Sequence, residues 1–316
     1  MKERLLLLDS ASLYYRAFFG MPDSLRAPDG TPVNAVRGLL DFIARLVTDH
    51  EPTRLVACLD ADWRPAWRVA LLPSYKAHRA AEVVAVEDGV EIEEAEDTPA
   101  DLAVQVPIIL DVLDALGLAA LGVDGYEADD VIGTLTAQAT CAVGVVTGDR
   151  DLFQLVDDSK NRRVFYTAAR GVGRLDVVNE QWIAEKYGIP GTTYADFATL
   201  RGDASDGLPG VKGVGDKTAA ALVSEYGSLQ DVIAAAVNDS SSMKDPLRKK
   251  ILAGLDYLAV APKVVAVALD VPIPDGIDDA LPASPKNPER LAELVERWGI
   301  GSSVGRVTQA LADRAG

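Results

Sequence analysis

The sequence predicts an α/β protein with a mostly parallel central sheet flanked by helices. Two observations carry that expectation. Three apolar runs end in an acid: residues 4–9 (RLLLLD), 55–60 (LVACLD) and 143–149 (VGVVTGD). Short runs of this kind, alternating with helix-length segments, read as buried parallel strands. Helical patterns occupy residues 34–49, 102–116 and 127–139, and such alternation places helices on both faces of a sheet.

Beyond about residue 168 the strand pattern fades. Helical segments dominate to about residue 261, broken by a Gly-rich stretch at 202–215. Residues 263–269 form an apolar run expected to add an edge strand, 272–285 a Pro/Asp-rich connector and 289–298 a final helix. The expected organisation is an α/β core over 1–170 with an insert at about 76–99. A helical part follows over 171–262, including the Gly-rich turn at 202–226. A C-terminal edge strand and helix over 263–316 are expected to pack back on the core.

With 316 residues, 48% hydrophobic and 25% charged, the chain suits one large or two small globular domains. Cys58 and Cys141 are the two cysteines. They read as buried reduced thiols, without a disulfide framework or zinc spacing. No secretory leader pattern and no bilayer-length apolar run is seen, so the expectation is a cytoplasmic protein without membrane contact. His50 and His78 lack a nearby nucleophile pattern, which disfavours Ser/Cys–His chemistry. His50 reads as an exposed helix end.

A net charge of −17 argues at first against a polyanionic partner. Its distribution answers that objection. Nine acids look like metal ligands or their neighbours: Asp9, Asp60, Glu127, Asp129, Asp130, Asp149, Asp151, Asp203 and Asp206. Eight more crowd residues 82–97, and the two sets together account for the whole excess. Local basic strips remain free to hold phosphates.

In an open α/β sheet, ligands sit beyond the carboxyl ends of the strands. Asp9, Asp60 and Asp149 are expected at those ends, beside the acids of GYEADDVIG (125–133) and TGDRDL (147–152). Oxygen ligands without His or Cys select Mg²⁺ or Mn²⁺. Like charges on one rim are costly unless cations lie between them, and two or more ions would offset that cost and assist phosphodiester hydrolysis. Each acid alone reads better as a helix cap or loop residue, Asp129 and Asp149 among them. The set carries the argument.

The motifs DSASLYYRAFFGMP from Asp9, DGTPVNAVRGLLDF from Asp29, CLDA from Cys58 and LLPSYKAHR from Leu71 belong together with YEADDVIGTL from Tyr126, VVTGDRDLFQL from Val145 and LRGDASDGLPGVKGVGDKTAAALV from Leu200. In this order, over roughly residues 1–261, the chain resembles the bacterial 5′ nucleases, known as the N-terminal domain of DNA polymerase I and as stand-alone flap endonucleases. The resemblance implies a structure-specific nuclease, acting as 5′-flap endonuclease and 5′→3′ exonuclease. It would cut near single-strand/double-strand junctions and leave a 5′-phosphate and a 3′-hydroxyl. It assigns Asp9, Asp60, Glu127, Asp129, Asp130 and Asp149 to a first metal cluster, and Asp149, Asp151, Asp203 and Asp206 to a second. Lys76 and Arg79 would stand at the base of an arch, against the scissile phosphate. Tyr14 and Arg16 join the expected DNA contacts, Tyr14, Tyr15 or Phe18 by stacking on an unpaired base. For Phe18 a place in the core is the stronger expectation.

LPGVKGVGDKTA from Leu208 sets Gly210, Gly213 and Gly215 before a helix, beside Lys212 and Lys217. Tight turns aim backbone N–H groups at an anion, and the following helix start adds favourable partial charge. This resembles the family's helix-three-turn-helix, which grips duplex backbone and whose carbonyls can hold K⁺. A plain glycine-bearing linker is the bland alternative. A dinucleotide loop is disfavoured, because no strand precedes it.

Three departures from the family pattern stand out. Gly207 follows Asp206 where Asn is usual. His78 replaces the usual Asn between the basic arch residues. The stretch between Arg79 and Pro99 is longer and more acidic. There Asp88-Gly89 predicts a hairpin over 82–94, pairing Glu87 with Val90, Val86 with Glu91 and Ala85 with Ile92. Its carboxylates are expected to turn away off-path phosphates. Expected partners are DNA with 5′ flaps, nicks, gaps or overhangs, with RNA-primed ends in the same range. The chain is expected to act as a stand-alone monomer. Two other functions compete: a catalytically weak DNA-junction binding module, which the complete acid set argues against, and an RNA-cleaving relative, which the duplex grip argues against.

Overall fold

The computed structural model describes residues 3–80, 97–238 and 240–315. Two compact units emerge. One joins Met1–Ala61, Thr98–Val178 and Ala268–Gly316, and the other joins Asp62–Asp97 and Asn179–Val267. The predicted hairpin over 82–94 lies outside the described residues.

The first unit is built on six strands: β1 (Arg4–Asp9), β2 (Arg54–Cys58), β3 (Ala119–Leu121), β4 (Ala142–Thr147), β5 (Arg162–Tyr166) and β6 (Asp176–Val178). Their order is β3-β2-β1-β4-β5-β6. All neighbours are parallel except the β5–β6 pair. The leucines at 5 to 8 are buried without alternation, as expected of a parallel strand covered on both faces. The chain winds one way through β1, β2 and β3, then starts again at β4 on the other side of β1. That reversal opens a crevice at the carboxyl ends of β1 and β4.

Helix Asn34–His50 buries Val36, Leu39, Leu40, Ile43, Leu46 and Val47 against the sheet. Its start is closed by Gln105, whose Oε1 accepts from Ala35 N (2.8 Å) and Val36 N (3.3 Å). Those N–H groups otherwise lack a partner in the first turn. The helix expected over 102–116 is Ala100–Ala103 followed by Val106–Leu116, broken where Pro107 has no N–H to continue the ladder. Leu291, Leu294, Ile300, Val304, Val307 and Leu311 complete this core from the C-terminal segment.

Several expectations are corrected here. Residues 263–265 finish the helix Leu255–Val265, and no strand forms over 263–269 among the described residues, because Ala261, Val264 and Val265 bury a helical stripe. The last stretch holds two helices, Pro288–Trp298 and Gly301–Ala315. The sheet continues past residue 170 to β6, and residues 62–80 join the helical unit rather than the core. Cys141 is only half-buried. His50 is half-buried too: it stacks on Phe165 at 4.1 Å, and burial lowers its pKa.

The second unit is helical: Ala66–Leu71, Glu180–Tyr187, Tyr194–Arg201, Asp216–Tyr226, Leu229–Val237, Asp245–Ala253 and Leu255–Val265. Arg68 is buried in it, donating from Nε to Val264 O (3.1 Å) and lying 4.4 Å from the Trp67 ring. It thereby ties the first of these helices to the carbonyl end of the last. Among the described residues, no helix is long and apolar enough to cross a membrane.

Candidate active site and DNA-binding turn

Asp9 ends β1 and caps the helix Ser10–Gly20, with Oδ1 accepting from Ser12 N at 3.2 Å. Its Oδ2 accepts from Thr147 Oγ1 at 2.6 Å. Thr147, fully buried at the end of β4, accepts in turn from Asp149 N at 2.8 Å. A hydroxyl has one hydrogen, so this one is committed to Asp9. Asp149 Oδ1 accepts from Asp151 N (2.8 Å), and Ser12 Oγ accepts from Gly148 N (2.8 Å). Two strand ends and the TGDRD loop are thus fastened at the switch point.

Asp60 lies two residues past β2 and accepts from Ala128 N at 2.8 Å. Glu127 caps Ala128–Gln138 in a capping box with Asp130. Asp130 is fully buried, and its two oxygens accept from Glu127 N (3.3 Å) and Ala268 N (2.8 Å). Among the acids of this unit, Asp9 and Glu127 cap the starts of α-helices, not Asp129 or Asp149.

The carboxylates feel one another. Burial pushes Asp9 up to about 7, and the Asp60 and Asp149 charges push the same way, against the lowering bonds from Thr147 and Ser12. Burial, with Asp9, Asp129 and Asp60 around it, drives the Cys58 thiol well above its ordinary value. Even so, no group of three or more His, Cys, Asp or Glu is gathered to metal-binding distance among the described residues. Asp9, Asp60, Asp130 and Asp149 each turn to donors of their own chain. The donor chemistry fits a hard divalent ion: oxygen-only ligands, mutually repelling, on one rim.

Asp203 and Asp206 belong to the helical unit. Asp203 accepts from Ser205 N (2.9 Å) and from Arg201 Nη2 (3.1 Å). Asp206 pairs with Arg79 at 2.6 Å, and the Arg79 guanidinium also donates to Ser205 O at 2.6 Å. Lys76 takes the left-handed region, φ +48°. Its N–H donates to Asp206 O (3.0 Å) and its Nζ to Trp63 O (3.4 Å). Ser74 Oγ donates to Gly207 O at 2.8 Å. Gly207 has φ +69°, and a Cβ there would fall 2.0 Å from the Ser74 carbonyl oxygen. An Asn side chain at 207 would meet the Ser74 backbone as it lies here.

In the Gly-rich turn, Gly210 and Gly213 have φ +65° and +79°. Gly215 is extended and precedes the helix Asp216–Tyr226, accepting from Thr218 N and Ala219 N. Val211 and Val214 are buried beneath the turn, and Lys212 and Lys217 are exposed on it. On the first unit, Tyr14 is half-buried against the core and stacks on Tyr15. Phe18 is half-buried rather than in the core, while Phe19 is 73% exposed. The buried Nε of Arg16 has no hydrogen-bond partner among the described residues, and its guanidinium approaches Gly148 and Gly171. Sequence reasoning missed Thr147, Ser12, Arg201 and Phe19. The TGD and FFG signatures held the first and last in view; nothing local marks Arg201.

Comparison with known proteins identifies the family. Residues 4–188 match the 5′-3′ exonuclease N-terminal resolvase-like domain, and residues 189–289 the 5′-3′ exonuclease C-terminal SAM fold. A 5′-3′ exonuclease of Streptomyces coelicolor is 58% identical over 97% of this chain and 99% of its own. One from Mycobacterium tuberculosis is 48% identical over 98% of both. The thermostable DNA polymerase I of Thermus aquaticus is 34% identical over 95% of this chain, but only 32% of its own. Among solved structures, a complex of the bacteriophage T5 flap endonuclease with DNA and metal ions superposes with TM-score 0.61 at 15% identity, covering 99% of both chains. That last likeness is one of fold. The chain belongs to the 5′-3′ exonuclease family and is a structure-specific 5′ nuclease acting on DNA.

Proposed function

We propose that this 5′ nuclease cuts DNA at 5′ flaps, nicks, gaps and overhangs from the acid rim at the carboxyl ends of β1, β2 and β4, with two or more Mg²⁺ or Mn²⁺ ions. The carrying observation is the Asp149–Thr147–Asp9 relay, with Asp9 pushed to about 7 by burial and its acidic neighbours. Asp9, Asp60, Glu127, Asp129, Asp149 and Asp151 would hold the ions, with Asp130 bracing Glu127 and the 268 segment. Asp203 and Asp206 are proposed as further acidic ligands. When bound, the ions supply Lewis acidity toward the phosphodiester and cancel carboxylate charge. Thr147 keeps Asp9 an acceptor and holds it in register with the TGDRD loop. Lys76 and Arg79 are proposed to neutralise charge developing on the scissile phosphate, and Arg79 would exchange its Asp206 bond for that role. Tyr14 and Arg16 are proposed as contacts near the cut. Gly210, Lys212, Gly213, Gly215 and Lys217 would hold duplex backbone without reading bases. RNA-primed 5′ ends are within the proposed range, and the chain is proposed to act as a monomer.

A 5′-flap duplex labelled at both ends tests this reading. Cleavage near the junction in Mg²⁺ or Mn²⁺, lost in EDTA and regained on adding metal, is expected. Flap binding without cleavage at any metal concentration would make the chain a junction-binding module instead.

A further inference from the structure

Helix Asp245–Ala253 rests on the Gly-rich turn at two points. Near its end, Gly254 meets the buried Val211, with a Cβ position 3.4 Å from both Val211 methyls. One turn earlier, Lys250 Nζ donates to Gly213 O at 2.8 Å. The Lys250 stem lies across the same glycine: a Cβ on Gly213 would sit 3.2 Å from Cε and 3.6 Å from Cδ. The positive φ of +79° favours glycine here, and the missing side chain lets the lysine stem lie close over the turn. The neighbouring turn carbonyls also have donors: Val211 O accepts from Val214 N, and Gly215 O from Thr218 N and Ala219 N.

A K⁺ ion at this turn would need several carbonyl oxygens converging on it, free of competing cations. Here one turn carbonyl, Gly213 O, already lies at hydrogen-bond distance from an ammonium, and a second cation beside it would be repelled. The residues present do not fit a resident monovalent ion. We propose that the Lys250 ammonium is the turn's own tethered cation, shaping the Gly-rich loop for duplex backbone in place of K⁺. The proposal rests on the duplex-grip reading above. Lysine in the last turn of its helix also meets the negative end of the helix dipole, which steadies it there.

The test uses the full chain at fixed ionic strength in KCl, NaCl and tetramethylammonium chloride. Thermal midpoints without DNA are read first, and affinity for a plain duplex second. The parent should melt alike in all three salts and bind duplex within about twofold throughout. Lys250→Met should melt lower and bind several-fold weaker in tetramethylammonium, and KCl should restore a good part of both, as mass action requires when an ion enters an opened site. A K⁺-specific gain in the parent would overturn the proposal. So would a Lys250→Met variant that behaves as the parent in every salt. A variant weakened equally in all three salts would make Lys250 an ordinary phosphate contact, which also overturns it. The expected melting pattern without duplex binding by the parent would leave the tethered cation standing and remove the grip.

Discussion

The acid rim and the Gly-rich turn, in the roles proposed for them, would handle phosphate in opposite ways. The rim uses buried side chains locked by hydrogen bonds. Asp9 is 6% exposed with both oxygens accepting, and Thr147 behind it is fully buried. The turn uses backbone and exposed lysines: Lys212 and Lys217 stand in solvent above Val211 and Val214. A group that must meet a reacting atom tolerates little displacement, so it is fixed from several sides. A surface that only holds a polyanion works with charge and open N–H groups, and gains from screening being incomplete. Damage to the first should appear in turnover, and damage to the second in affinity and its salt dependence.

The sharpest break of that division would come from the TGDRD loop. Asp149→Asn or Asp151→Asn should lower single-turnover cleavage by ~10³-fold or more while flap affinity changes little; near-normal turnover in Mg²⁺ would remove both from the chemistry. Next in size are Lys76→Ala and Arg79→Ala. Each should lower turnover at saturating substrate by about 10²–10³-fold, the usual cost of one charge-stabilising donor. An affinity loss with turnover intact would move them to the docking side. Lys212→Ala with Lys217→Ala should weaken all duplex sequences alike. The slope of log affinity against log salt should shrink by up to about 0.9 per lost phosphate contact. An unchanged slope would take the turn out of the interface.

The smallest effect concerns stability. Asp9 holds its proton more tightly in the folded chain than in the unfolded one, with about 7 against 3.8. Between those values the folded state binds more protons, so stability falls as pH rises, and above about 7 the whole penalty is present. Without divalent ions, Asp9→Asn should therefore melt higher than the parent at pH 8 and close to it at pH 3.5. Equal midpoints at pH 8 would mean that burial and the neighbouring charges do not load the Asp9 carboxylate.

Much of this division was legible in the chain. Apolar runs ending in acids located β1, β2 and β4, because parallel strands buried on both faces need continuous hydrophobicity. Asp60 and Asp149 proved to lie two residues beyond their strands, since the ladder stops before the chain turns. β3 and β6 escaped notice because three residues carry no period. β5 opens with Arg162 and Arg163, which masks it. The helix Gly301–Ala315 was hidden by its glycines and serines, although Val304, Val307 and Leu311 hold the i, i+3, i+7 stripe. The Arg79–Asp206 bond and the Ser74–Gly207 approach join segments over a hundred residues apart. Local pattern has no access to such pairs. The family resemblance put Arg79 and Asp206 in the site but did not show them bonded.

The sheet's core has a consequence for synthesis. β1 to β5 leave the ribosome early, but Leu291, Ile300, Val307 and Leu311 finish the cluster that covers Leu6, Leu8 and the Asn34–His50 helix. Until residue 311 has emerged, that apolar face is covered only in part, by the residues around 108–118. At ~5–20 residues per second, the helices after Val267 follow within seconds. During that interval a nascent chain carries most of the acid rim without a finished scaffold beneath it, so cleavage should switch on only after the last helix docks.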